Sequence, residues 1–583
     1  MYQPRIEQLT VALNEAETSK MTALLVVFGS VVACGFLGFQ LASELKPAAA
    51  IPLVITFFAA QRYFRFRDAA TRLAHLRSFY KRGMERIENN WHGTGQTGED
   101  YREPNHLYDH DLNILGSSSL FELLCTARTD IGRRRLAEFL LRPVSAEEAR
   151  ARQAAVQELR DRTPLREEMV QLGTHEFSNV ASDGLKQWIA APGVAFPAVL
   201  GPSLQVSSVI LAGILLTGLS GAIAWEVLVP FIAGLMGLHA LAGVALHESV
   251  RPILHAGRDL SPEISILGQG LSILASQKFE SPKLAALAQR AASAPQPLRR
   301  LERITFWMRE REKEWFYGPG LYLMLGTQLA AKGEQWRAKH SADLPEWIDA
   351  WAEFEALQAI ATYAHEHPAD VFPEFTTATS FAAESIGHPL LSTETCVPND
   401  VRFDAQTRFW IISGSNMAGK STIMRSIGTN IVLAHAGAPV RAANMTLAPF
   451  HVCASISTAD SLLEGKSRFM AEVERIRDTL IAAATSPVLF LIDEIFSGTN
   501  SHDRRIAAES VIRALIASGA VGALSTHDLA LTEIAPLPGL MGVNVHMCSR
   551  SDEDALDFDY RVKPGVNRQS NALAIVRLAG IPA

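Results

Sequence analysis

The chain has 583 residues, of which 48% are hydrophobic and 20% are charged, and its formal net charge is −7. One hydrophobic core does not grow to this length, so two or three domains are expected. The negative charge excludes a uniformly basic nucleic-acid binder, and five scattered cysteines without a CxxC pattern predict reduced thiols rather than disulfides or a zinc site.

Two apolar stretches near the start predict a transmembrane hairpin. Residues 21–42 contain no charged side chain, and residues 48–60 form a second, shorter apolar stretch. About 20 apolar residues cross a hydrocarbon core, so the first stretch is long enough and the second is marginal. RYFRFR follows at residues 62–67, and the positive-inside rule would keep these arginines in the cytoplasm. Nucleic-acid binding by the same arginines and aromatic residues is the alternative.

A second apolar hairpin is predicted between residues 201 and 248. Its two arms are free of charge and flank a single acidic residue, Glu226. His239 lies inside the second arm, where packing or a hydrogen bond to a neighbouring helix is the expected role. The sequence therefore predicts four membrane-spanning helices, lipid contacts, and a multi-pass protein of the inner (cytoplasmic) membrane. Burial of these helices in a large soluble core is the alternative.

The segments around the second hairpin are rich in helix formers. Residues 65–200 and 249–385 are predicted to be helical, with many charged positions. The three arginines at positions 133–135 are interpreted as a solvated helix face, with contact to a DNA backbone as the alternative.

From residue 386 onward, short β-branched runs alternate with helical segments, which predicts an α/β domain with a parallel sheet. GSNMAGKS at residues 414–421 lies between a strand-like and a helical segment and matches the phosphate-loop pattern. Its backbone N–H groups would wrap phosphates, Lys420 would reach the β- and γ-phosphates, and Ser421 would ligate Mg²⁺. The residues predicted to bind ATP here are Gly414, Ser415, Asn416, Met417, Ala418, Gly419, Lys420, Ser421 and Thr422.

Two further segments complete a predicted site for hydrolysis of Mg-ATP. An apolar strand at residues 488–493 ends in Asp493, a predicted Mg²⁺ ligand, and is followed by Glu494, which would orient or deprotonate the attacking water. Another strand-like run, VGALST, ends just before His527, the predicted γ-phosphate sensor. Lys420, Glu494 and His527 are the predicted catalytic residues, with ATP and Mg²⁺ as ligands.

At these residues the chain resembles the MutS family. The carrying segments are NMAGKST, DEIFSGTNSHD, STHDLALTE, ADSLLEGKSRFMAEVERI and the final stretch YRVKPGVNRQSNALAIVRLAGIP. The resemblance implies a P-loop ATPase of the ABC/MutS type preceded by an all-α lever. It also implies a homodimer with composite sites, in which Ser467 of one subunit contacts the nucleotide of the other, and it is the only support for a DNA partner.

The chain also departs from that family. The Phe-x-Glu motif of the amino-terminal mismatch-reading domain has no counterpart, and the first hairpin occupies that place. No connector domain or separate DNA clamp is evident, and the second hairpin interrupts the lever. Where the family stacks an aromatic residue on adenine, this chain has Cys396 and Val397, so the contact to the base is expected to be weaker or rebuilt.

The resulting hypothesis is a membrane-anchored MutS-related ATPase. The alternatives are an ordinary mismatch-repair or DNA-remodelling protein and an ATP-driven membrane machine resembling an ABC transporter, although the transporter signature LSGGQ is absent. The predicted domains are an N-terminal cytoplasmic segment (1–20), hairpin 1 (21–64), the first lever part (65–200), hairpin 2 (201–248), the second lever part (249–385) and the ATPase domain (386–583).

Overall fold

The structure is a computed structural model of the whole chain. The residues it describes are 2–40, 50–172, 188, 190–197, 199–313, 320, 323–415, 417–456, 468–497, 500–549 and 558–567.

A helical region comes first in the chain, as predicted. Its helices are α1 (Gln3–Gln40), α2 (Ala50–Ile87), α3 (Leu120–Leu124), α4 (Asp130–Leu141), α5 (Ala146–Arg160), α6 (Thr163–Val170), α7 (Leu200–Leu219), α8 (Trp225–Ser276), α9 (Pro282–Ala291), α10 (Pro295–Glu310), α11 (Leu325–His340) and α12 (Leu344–Glu366). α12 is the central helix of this region, because nearly all of its residues are buried and it contacts α2, α3, α4, α5, α8 and α9.

Three helices among the described residues are long and apolar enough to cross a membrane. They lie in α1, α7 and the first part of α8. Apolar side chains in these helices are exposed, among them Phe28 at 69% and Leu241 at 72%. The start of α2, where a fourth span is predicted, is not among the three, and part of that stretch lies outside the described residues. The predicted spans of α1, α7 and α8 thus have the required length and composition.

Two helices with apolar segments, α8 and α2, continue without a break into the rest of the helical region. α8 has 52 residues, which corresponds to about 78 Å at 1.5 Å per residue. Its second half contributes Leu260, Leu267 and Leu271 to the main core. α2 likewise runs on past its apolar start and packs its end against α12. Because each is one hydrogen-bonded helix, the apolar segments are rigidly joined to the helical core.

Two polar residues of this region have surroundings that bear on the sequence analysis. The His239 ring in α8 is hydrogen-bonded to the Ser207 hydroxyl of α7 at 2.8 Å, which confirms the expected bond to a neighbouring helix. Arg133 in α4 is only 8% exposed, so its interpretation as part of a solvated face was wrong. The helix turns Arg133 toward the body of the protein, while Arg134 remains 43% exposed at its side chain.

The C-terminal part is a mixed α/β domain, as predicted. Its strands are β1 (Glu374–Phe375), β2 (Phe381–Ile386), β3 (Asn399–Phe403), β4 (Phe409–Ser413), β5 (Asn444–Leu447), β6 (His451–Ser455), β7 (Val488–Asp493), β8 (Val521–Thr526), β9 (Gly542–His546) and β10 (Lys563–Pro564). Its helices are α13 (Lys420–Ala436), α14 (Arg468–Ala483) and α15 (Ser501–Ala517).

The strands form two sheets. One has the order β1-β5-β2-β3, and the larger has the order β10-β9-β4-β8-β7-β6. All pairings in the larger sheet are parallel except that of β10 with β9. Its central strands are buried over nearly their whole length, which is why they read as continuous apolar runs rather than alternating ones.

Candidate nucleotide site

Three neighbouring strands end at one edge of the larger sheet. β8 lies between β4 and β7, with Ser413 opposite Thr526. On its other side Ser525 lies opposite Asp493. Because the carboxyl ends of parallel strands meet at the same edge, the loops after β4, β7 and β8 are brought together. These are the three segments in which the sequence predicts the phosphate loop, the carboxylate pair and the histidine sensor.

The loop after β4 has the backbone that a phosphate loop requires. Gly414 and Gly419 have φ angles of 150° and 98°, which residues other than glycine rarely adopt. A Cβ on Gly414 would lie 2.3 Å from the Met547 carbonyl oxygen, so a larger residue does not fit there. α13 then begins at Lys420, and a helix start directly after such a loop is a common phosphate-binding arrangement.

Lys420 is held within this loop. Its Nζ donates to the carbonyl oxygens of Gly414 and Ser415 at 2.6 and 2.9 Å, and the residue is 3% exposed. Burial lowers the pKa of the amine, while the Asp493 and Glu494 carboxylates act in the opposite direction. A buried ammonium group beside neutral carbonyl oxygens is well placed to receive a phosphate oxygen, since charge-assisted hydrogen bonds are the stronger kind.

Asp493 connects the loops after β4 and β7. The Ser421 hydroxyl donates to its Oδ2 at 2.5 Å, and the Ser525 hydroxyl donates to its Oδ1. A hydroxyl and a carboxylate at this spacing are oxygen ligands of the kind that Mg²⁺ prefers. Ser525 was not identified from the sequence, because a serine inside a buried strand carries no motif of its own.

Glu494 and His527 are brought together by adjacent strands. The His527 Nδ1 lies 2.9 Å from Glu494 Oε1, with side-chain exposures of 53% and 26%. Glu494 has a φ of 53°, a conformation that costs energy for a non-glycine residue and is typical of functional sites. A backbone bond from Glu494 N to the Ser525 carbonyl oxygen at 3.1 Å fixes this turn.

Further side chains support the turn after Glu494 and were also missed by sequence reasoning. The buried Glu472 on α14 accepts the Phe496 N–H at 2.6 Å. Arg504 on α15 donates to the carbonyl oxygens of Phe496 and Ser497 and pairs with Asp528 at 3.5 Å. Their positions depend on how two helices pack against the sheet, for which no short motif exists.

The remaining predicted ligands differ in what the structure says of them. Ala418 is buried, while Met417 is 62% exposed and Thr422 is also exposed. The Ser415 hydroxyl is buried and has no hydrogen-bond partner within the described residues. Asn416 and Ser467 lie outside the described residues. The glycine conformations, the buried amine and the Ser421–Asp493 pair together fit the phosphates and metal of Mg-ATP.

An aromatic ring lies beside the phosphate loop. Tyr560 is 43% exposed, and its Cδ1 lies 3.1 Å from where a Cβ on Gly419 would be. Asn399 fixes this segment, since its Nδ2 donates to the Tyr560 carbonyl oxygen at 3.0 Å and its Oδ1 accepts the Val562 N–H at 2.7 Å. The segment around Tyr560 is thus bonded to Asn399, two positions after Val397. No aromatic residue occupies the Cys396–Val397 position itself.

The helical region contacts this domain through Asp111, which is 1% exposed. Its Oδ1 accepts the Ile456 N–H at 2.7 Å, and its carboxylate lies 3.2 Å from the guanidinium of Arg475 on α14. Its carbonyl oxygen accepts from Arg425 on α13 at 2.9 Å. Asp111 of the helical region therefore contacts three parts of the α/β domain. They are α13, which follows the phosphate loop, α14, and Ile456, the residue just before segment 457–467.

Comparison with known proteins agrees with this geometry. The model of the MutS domain V family matches residues 410–583. Residues 410–583 are therefore of the MutS domain V type. Two relatives are "DNA mismatch repair protein MutS" of Sorangium cellulosum (strain So ce56), 32% identical over 240 residues, and "DNA mismatch repair protein MutS 1" of Halobacterium salinarum (strain ATCC 29341 / DSM 671 / R1), 33% identical over 262 residues.

The extent of these MutS matches is limited. They cover 40% and 44% of this chain, and 26% and 30% of the two relatives' own lengths. The resemblance to MutS that was identified from the sequence is confirmed. The matches to these relatives do not extend to the whole of either protein.

Proposed function

We propose that this protein is a membrane-anchored MutS-type ATPase that binds and hydrolyses Mg-ATP at two composite sites of a homodimer. The observation that carries the proposal is the convergence of Lys420, the Ser421–Asp493 pair and the Glu494–His527 pair at one edge of the sheet. The match to MutS domain V over the same residues supports it.

Each of these side chains has a role in the proposed reaction. Lys420 neutralises the charge that builds up on the phosphate oxygens. Ser421 and Asp493 would hold Mg²⁺, which when bound shields the phosphate charge. Glu494 accepts a hydrogen bond from the attacking water and aligns it with the γ-phosphorus atom. His527 orients the Glu494 carboxylate through their 2.9 Å contact and contacts the γ-phosphate.

The proposed activity is tested with the detergent-purified full chain. Glu494→Gln keeps the shape of the side chain but removes the charge, so we expect ATP binding to remain while turnover falls by roughly 10²–10⁴-fold. Lys420→Ala should abolish ATP binding itself. ATP affinity that is unchanged in Lys420→Ala would rule out the phosphate-loop assignment, and wild-type turnover in Glu494→Gln would rule out the assigned role of that carboxylate.

The membrane part of the proposal is supported by the three long apolar helices and their exposed side chains. Water-soluble monomers rarely expose contiguous apolar patches of more than a few hundred Å². The arginines at 62, 65 and 67 would keep the end of α2 and the ATPase domain in the cytoplasm. The protein should stay with the membrane pellet after alkaline carbonate extraction, whereas release into the supernatant would contradict spanning helices.

DNA is a further candidate partner, favoured by the similarity to the two DNA mismatch repair proteins. It is tested by measuring ATP turnover with and without mismatched, branched and perfectly paired duplexes. A DNA-dependent function predicts a change in turnover and binding that weakens steeply with salt. If no DNA form changes turnover or is retained at low salt, this candidate is ruled out while the ATPase proposal stands.

A further inference from the structure

A cavity of about 360 Å³ lies in the helical region between α2 and the residues around the start of α4. It shares no residue with the candidate nucleotide site. Four arginines line it, and among its described lining residues Glu122 is the only one with a carboxylate. The four arginines are Arg82, Arg86, Arg128 and Arg133. The buried rings of Phe79 and Trp91 add an apolar wall.

Two of the charged groups in this cavity have hydrogen-bond partners of different kinds. The Arg86 guanidinium makes two hydrogen bonds to Glu366, at 2.7 and 2.6 Å. The Glu122 carboxylate accepts the N–H groups of Gly95 and Ser118 at 2.8 and 2.6 Å. Arg86 is thus paired with a carboxylate, whereas Glu122, bonded to neutral N–H groups, keeps one negative charge against the three other arginines.

Arg133 is the decisive residue. It is 8% exposed, and its guanidinium donates only to neutral oxygens, Gln96 Oε1 at 2.9 Å and the Thr129 carbonyl oxygen at 3.4 Å. Within the described part of the chain it forms no ion pair, whereas Arg134 and Arg135 on the same helix pair with Asp130 and Glu138. A buried charge without a partner costs several kcal/mol.

Arg128 adds a second buried guanidinium to the same wall. It donates to the backbone carbonyl oxygens of Met169, Val170 and Leu172. Burial is the main cause that lowers its pKa to about 10; the Glu355 carboxylate acts in the opposite direction, and the charge of Arg82 in the same direction. The charges of Arg82 and Arg128 thus act against each other beside a space that is large enough to admit a ligand.

We propose that this cavity binds a small phosphate-bearing anion. A phosphate group offers several oxygens to neighbouring guanidinium groups and supplies the counter-charge that Arg133 lacks among the described residues. The aromatic wall would contact a small organic group attached to it. The anion comes either from a soluble phosphate compound or from the headgroup of an acidic lipid, since α2 begins with the apolar stretch predicted to enter the membrane.

The test uses the full chain carrying Lys420→Ala, so that the phosphate loop does not contribute. We expect sodium pyrophosphate to raise the melting temperature of this protein in detergent, relative to sodium chloride of equal ionic strength. Adding Arg133→Gln should weaken the apparent affinity at least about tenfold, the cost of a lost charged hydrogen bond. Arg134→Gln is the matched control, because Arg134 does not line the cavity, and it should retain the full shift.

A second variant and a second probe complete the test. Arg82 is exposed, so Arg82→Gln should fold even if Arg133→Gln does not. This variant should also weaken binding. Soluble dihexanoyl phosphatidic acid, compared with dihexanoyl phosphatidylcholine, distinguishes a lipid source: protection by pyrophosphate indicates a soluble ligand, and protection by phosphatidic acid alone indicates a lipid headgroup. If neither stabilises the protein, or if Arg82→Gln leaves the full shift, the proposal is overturned, whatever the ATPase result.

Discussion

Tyr560 lies beside the phosphate loop, and no sequence motif indicated a role for its side chain. Its exposed ring lies next to Gly419 and is fixed through Asn399. A base that stacks on an aromatic ring gains about 1–3 kcal/mol. We therefore infer that Tyr560 replaces the missing aromatic contact near Cys396 and Val397.

This inference predicts that Tyr560→Ala raises the dissociation constant for ATP about tenfold or more, whereas Tyr560→Phe keeps it near the wild-type value. Affinity is measured by calorimetry in the Glu494→Gln background, so that ATP is not consumed. Tripolyphosphate, which has no base, is the control ligand and should bind all three proteins alike. Equal losses for ATP and tripolyphosphate would mean that Tyr560 shapes the loop instead of contacting the base.

Two buried histidines give the C-terminal domain a predicted pH dependence. Burial is the main cause that lowers the pKa values of His388 and His435 to about 4. His435 is neutral in the fold, where Nδ1 accepts the Val144 N–H at 3.2 Å and Nε2 donates to the Phe450 carbonyl oxygen at 2.9 Å. Because the unfolded chain binds these protons near pH 6.5, stability is fully present above that value and is lost progressively down to pH 4.

Each histidine should account for about 3 kcal/mol of stability over this window. The melting temperature of the detergent-purified protein should therefore fall between pH 6.5 and 4. In His435→Gln, whose amide can replace both hydrogen bonds without titrating, the fall should be distinctly shallower. An unchanged slope in this variant would show that His435 does not carry the effect.

At the scale of helices, one buried ion pair joins the end of α2 to the end of α12. Arg86 and Glu366 are 9% and 0% exposed at their side chains, and α12 leads directly into the α/β domain. Removing one partner of such a pair leaves an unpaired charge and costs about 3–5 kcal/mol.

Glu366→Gln should therefore lower the melting temperature by about 3–4 °C. The double variant Arg86→Met, Glu366→Leu should recover much of this loss, because no charge then stays buried. Asp68→Asn, which breaks the exposed pair of Arg67 and Asp68, is the control and should have almost no effect. If Glu366→Gln and Asp68→Asn lowered the melting temperature by similar amounts, a structural role for the buried pair would be contradicted.

At the scale of the whole molecule, the composite sites of the proposed homodimer have a direct test. Subunits with Ser467→Ala and subunits with Lys420→Ala are each expected to be inactive. In a mixed dimer both changes fall in one site and the other site is intact. With random exchange, half of the dimers are mixed, so activity should recover to about a quarter of the wild-type value.

Mixing Lys420→Ala with Glu494→Gln is the matched control. Lys420 and Glu494 lie close enough in one chain for the carboxylate to act on the amine, so both belong to the same subunit's part of the site. Every site of this mixed dimer therefore carries a change. No recovery is expected from that mixture. Equal activities of the two mixtures would argue against a site shared between subunits.

The chain order of the domains and the main site residues could be predicted from the sequence because they depend on local patterns. GSNMAGKS requires only a loop between a strand and a helix, and apolar runs of about 20 residues mark candidate spans whatever their neighbours are. Asp493 and Glu494 could be predicted for the same reason, since a buried parallel strand reads as an apolar run that ends at the edge carrying the polar residues.

Only the tertiary structure decided the rest, because it depends on contacts between distant segments. Ser525 contacts Asp493 through the pairing of β7 with β8, and Tyr560 reaches Gly419 from beyond the last parallel strand. Arg133 and Arg134 are adjacent in one arginine run, yet helix rotation buries the first and exposes the second. Residue type and spacing therefore determined the proposed ATPase chemistry, whereas packing determined which side chains surround it and where a second anion site can exist.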